Sequence, residues 1–148
     1  MKAPESYAEW ADVLDALASR RNDAEVLSAM QAGTLPWQSG VAERFARRLI
    51  DTVNGRMNAA TDQFQKSMSR SRGQESLIVQ AVLSLRKELQ FLARVMDIPV
   101  IPEKDRRQYV QMVRNQADQM QKSLEDSART DRTGKLGSIV RNHRVNAF

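Results

Sequence analysis

The strongest pattern in the chain lies between Gln74 and Met96. There Ile78, Ala81, Val82, Leu85, Leu89, Leu92 and Met96 recur at three- and four-residue steps. Such steps place side chains on one face of an α-helix. Leu77, Leu83, Phe91 and Val95 widen the apolar stripe, while Arg86, Lys87, Gln90 and Arg94 keep one flank polar. A helix apolar over much of its circumference belongs in the middle of a bundle. This segment is therefore expected to be the central post of an all-α protein.

The same periodicity organises the rest. Ser6-Tyr7-Ala8-Glu9 matches a capping box. It opens a helix that presents Tyr7, Trp10, Val13, Leu14 and Leu17 and runs to about Arg20. Asn22-Asp23-Ala24-Glu25 is a second candidate cap, starting a short helix with Val26, Leu27 and Met30 inward and a stop at Gly33. Together they predict a short αα-hairpin. Pro36 and the flanking Gly33 and Gly40 predict a loop, with Trp37 packing over the end of a core. A long helix follows, from about Val41 to Ser69, with Phe45, Leu49, Val53, Met57, Ala60, Phe64 and Met68 on its inner face. Gly55 inside it implies either a bend or the close approach of another backbone.

Pro99 and Pro102 end the post, and the apolar Ile98, Val100 and Ile101 beside them suit a packed connector. A last helix carries Tyr109, Val113, Ala117, Met120 and Leu124 and extends to about Ala128. Beyond it, residues rich in Thr, Asp, Gly and Asn favour loop or disorder. Ile139, Val140, Val145 and Phe148 are the exceptions and would suit a short anchor. The expectation is a compact bundle of four to five helices over residues 1–128, with an irregular basic tail over 129–148.

Charge changes the picture at that tail. Arg129, Arg132, Lys135, Arg141 and Arg144 stand there against Asp131 alone, so four of the chain's five net positive charges fall in its last twenty residues. Such an asymmetry points to an anionic partner. The absence of cysteine rules out disulfides and thiolate chemistry. With no apolar signal core at the start and no membrane-length apolar run, a cytoplasmic protein without a membrane partner is expected.

Candidate chemistry is sparse. Di-iron sites in bundles take Glu-x-x-His pairs, and the single histidine, His143, lies in the tail. Neither a Gly-x-Ser-x-Gly turn nor a phosphate-binding glycine loop is present. No catalytic residue, metal, cofactor or small-molecule substrate is predicted. The second short helix carries no basic residue, which argues against its being a recognition helix. The expectation is a non-enzymatic interaction, adaptor or regulatory protein that self-associates, with the exposed end of the long helix, Phe64 and Met68, pairing with a second copy. The alternative is a nucleic-acid-associated protein that binds phosphates through Arg129, Arg132, Lys135, Arg141 and Arg144.

Overall fold

The computed structural model describes residues 1–148 and is all-helical. Six helices follow in order: α1 (Tyr7–Ala18), α2 (Asp23–Ala32), α3 (Val41–Ser71), α4 (Glu75–Met96), α5 (Glu103–Ala128) and α6 (Lys135–Asn142). The chain forms two compact units, one of residues 1–56 and 92–110, the other of residues 57–91 and 111–148. Helices α3, α4 and α5 each contribute to both. No helix is long and apolar enough to cross a membrane.

The first unit is built around Trp10, which is fully buried. The Ser6 cap places it: the Ser6 hydroxyl accepts from the Glu9 N–H at 3.2 Å, and the Glu9 carboxylate accepts from the Ser6 hydroxyl and the Glu5 N–H. The indole N–H then donates to the Thr34 carbonyl at 2.9 Å, while the Thr34 N–H donates to the Pro4 carbonyl. Phe45 meets Trp10 edge-on at 4.9 Å, and Trp37 meets Phe45 edge-on at 5.8 Å. Such perpendicular ring pairs add to simple area burial.

Gly33 is needed here for space rather than for backbone freedom. It sits in extended conformation at the end of α2, and a Cβ there would lie 2.5 Å from Trp10 Cζ2 and 2.9 Å from Pro4 Cγ. The expected Asn22 cap takes a different form. Asn22 starts α2 but is left-handed, and its side chain makes no capping bond. With Arg20 also at positive φ, it turns the chain sharply between the two short helices. Asparagine tolerates that geometry better than most residues. Ile98 and Ile101 of the connector over residues 97–102 are buried and Val100 is half-buried, so the connector packs largely as expected.

In the second unit, Met57, Ala60 and Phe64 of α3 share a core with Ile78, Ala81, Val82, Leu85 and Leu89 of α4 and with Val113, Ala117 and Leu124 of α5. The seven positions that define the α4 stripe are all buried, but the widened stripe is narrower than expected. Val95 is buried, Leu83 and Phe91 are half-buried, and Leu77 is 38% exposed. Arg72 and Gly73, both at positive φ, make the turn from α3 to α4.

The chief difference from the sequence reading is the tail. Residues 135–142 form a sixth helix, and residues 129–148 belong to the second unit. The threonine, aspartate and glycine that suggest a loop build its start. The Asp131 carboxylate accepts from the Leu136 N–H at 2.9 Å and from the Thr133 N–H and hydroxyl, and left-handed Gly134 precedes the first turn. Ile139, Val140 and Val145 are almost completely buried.

Candidate functional site

The cations of residues 129–148 divide into two groups. Arg129 pairs with Asp126 at 3.2 Å, and Arg144 pairs with Glu125 at 3.4 Å. These are surface pairs of small energetic weight. Arg132, Lys135 and Arg141 are exposed and make no salt bridge. Arg141 lies on the side of α6 away from Ile139 and Val140, whereas Lys135, one turn before Ile139, stands exposed at the start of the helix.

The segment carrying these cations is held by Gln121 of α5, which is 2% exposed. Its side-chain carbonyl accepts from the Val145 N–H at 3.0 Å, and its amide donates to Glu125 at 3.1 Å and to the Val140 carbonyl at 3.4 Å. Asn146 donates to Asp118 at 2.9 Å, and Arg86 donates to the Arg144 carbonyl at 3.3 Å. A buried amide that satisfies two backbone groups of another segment specifies a single docking position. The basic residues were legible in the sequence; Gln121 was not singled out, although its place four residues after Ala117 and three before Leu124 puts it on the buried face of α5.

The two apolar residues expected to pair with a second copy are placed differently. Phe64 is 7% exposed and packs within its own unit, whereas Met68 is half-exposed. Met1 and Leu77 are the large apolar side chains that stand exposed. Single exposed apolar residues of this kind are ordinary on a protein surface.

The first unit carries a feature that the sequence did not announce. Trp37, Gln38, Ser39, Ala42, Glu43, Ala46, Asp105 and Tyr109 line a cleft of about 270 Å³. The loop before α3 supplies the indole, the first turns of α3 supply Glu43, and α5 supplies Asp105 and Tyr109. Burial and the nearby Asp105 charge push the Tyr109 phenol above its ordinary value. The Glu43–Arg47 pair that four-residue spacing favours does not form, although the equivalent Asp62–Lys66 pair does, at 3.3 Å. Glu43 instead accepts weakly from the Ser39 hydroxyl, at 3.5 Å. Arg106 pairs with Asp97, Arg107 with Glu103, and Arg44 lies over the Tyr7 ring.

No group of three or more histidines, aspartates or glutamates is placed to hold a metal ion. No family model matches the chain, and comparison with curated proteins and with solved structures yields no match.

Proposed function

We propose that this is a non-enzymatic helical interaction protein that self-associates, with its C-terminal segment as the contact arm. The observation that carries the reading is a docked segment with outward cations: Ile139, Val140 and Val145 are buried while Arg132, Lys135 and Arg141 are exposed. A segment already ordered in the free protein loses little conformational freedom on binding. Its uncompensated charge also speeds encounter with an acidic surface. Sparse exposed apolar surface favours polar contact over a greasy seam.

The test is the solution mass of the chain across a concentration series at low salt, measured beside Arg132→Glu/Lys135→Glu/Arg141→Glu. A mass that rises with concentration in the first and stays monomeric in the second supports the reading. A parent chain that stays monomeric throughout overturns it.

The same three cations carry a second reading, contact with a nucleic-acid backbone. Residues 132–148 contain no aspartate or glutamate, so phosphates would meet no opposing side-chain carboxylate on that segment. Of the arginines that might extend the footprint from α3, Arg48 is bound to Asp15 at 2.7 Å and Arg44 covers Tyr7. Binding of a labelled duplex at about 50 mM salt, weakening steeply as salt rises, would favour this reading. Absence of binding there retires it.

A further inference from the structure

An arm needs a seat, and the cleft of the first unit has the chemistry of one. Trp37 and Tyr109 offer half-exposed aromatic surface, and Glu43 and Asp105 offer carboxylates that form no salt bridge. Aromatic faces attract ammonium and guanidinium groups, most strongly where water is partly excluded. A carboxylate adds a charge-assisted hydrogen bond. The cleft's volume of about 270 Å³ falls below the roughly 300–1,000 Å³ usual for small-molecule sites, which suits one inserted side chain better than a metabolite.

We propose that this cleft receives a basic side chain from α6 of a second copy, Lys135 or Arg141 entering between the aromatic rings and the two carboxylates. The occupant follows from charge complementarity within one sequence. Arg132, Lys135 and Arg141 are cations without a salt bridge in the second unit, and Glu43 and Asp105 are carboxylates without one in the first. The docking rests on the self-association reading and specifies its geometry. Arm and seat are different surfaces, so the arm of one copy meets the seat of another rather than like meeting like. A contact built mainly from exposed charges is weak and salt-sensitive.

Arm-to-seat docking has a signature that a like-with-like contact lacks. One variant, Glu43→Lys/Asp105→Asn, keeps the arm and loses the seat; another, Lys135→Glu/Arg141→Glu, keeps the seat and loses the arm. Each alone should be monomeric at low salt, with affinity reduced about tenfold or more. Mixed, they should form a one-to-one complex, because the intact arm of the first meets the intact seat of the second. The mixture, read by sedimentation velocity, also controls for folding, since a misfolded variant would not restore association.

Seat variants that self-associate as strongly as the parent chain overturn the docking and leave self-association standing. Two monomeric variants that fail to combine overturn it as well. A parent chain that is itself monomeric at low salt overturns both readings together.

Discussion

Arg56 of α3 holds Asp23 of α2 by a two-point fork: Nη1 lies 2.9 Å from Oδ1 and Nη2 lies 2.9 Å from Oδ2. Nη1 also donates to the Leu17 carbonyl at 3.1 Å, so one guanidinium fastens the last turn of α1 and the first turn of α2 to the long helix. The Arg56 side chain is 4% exposed and that of Asp23 is 37% exposed. Planar bidentate geometry of this kind is available to arginine and not to lysine.

Asp23→Ala should therefore destabilise the chain. Breaking a fully buried pair costs about 3–5 kcal/mol, and water reaching Asp23 reduces this to about 1–3. Arg56→Lys should lose much of the same energy despite keeping the charge. Urea denaturation of the three proteins, at constant slope, checks both.

Two glycines should respond in opposite directions to the same substitution. Gly33→Ala drives a methyl into Trp10 and Pro4, and overpacking of this kind costs about 1–3 kcal/mol. Gly55→Ala meets nothing within 4 Å at an exposed position inside α3, so it should stabilise the chain by about 0.5–1 kcal/mol. Paired thermal melts decide. A neutral Gly33→Ala would mean that the Trp10 indole does not lie where the hydrogen bond to Thr34 places it.

Gln121→Leu should loosen the C-terminal segment specifically. It removes the acceptor for the Val145 N–H and the donor for the Val140 carbonyl. Leaving buried backbone groups unsatisfied costs about 1–3 kcal/mol. Amide exchange of Val145 should accelerate while that of α1 and α2 stays unchanged.

Acid should loosen the start of α6. The Asp131 carboxyl lies below its ordinary value, chiefly because it accepts from the Leu136 N–H and then from Thr133. A depressed carboxyl stabilises the fold above the value it has when unfolded, and that contribution disappears as pH falls through the lower, folded value. The capping contacts should thus hold from neutral pH down to the ordinary carboxylate range and be lost below it. Exchange of the Leu136 amide with falling pH tests this. Asp131→Asn should flatten the dependence.

Most of the fold was legible because helical periodicity is a local property. The ends of α3 and α5 and the stop at Pro99–Pro102 follow from residues within a few positions of one another. Helix α6 escaped for two reasons. Its eight residues are too few for a convincing period, although Leu136, Ile139 and Val140 do keep helical spacing. Its start is also made by polar residues whose usual association is with loops.

The residues that line the cleft and join separate helices lie further apart in the chain. Trp37 and Glu43 share a cleft with Asp105 and Tyr109, Gln121 holds Val145, and Arg56 meets Asp23 across thirty-three positions. Spacing of three or four residues says which side chains share a face of one helix, and that much could be read directly from the order of residues. Which face meets which, whether a cation is neutralised, and whether Phe64 is covered depend on how separate helices pack. Packing joins residues without regard to their distance along the chain, so those answers required the folded coordinates.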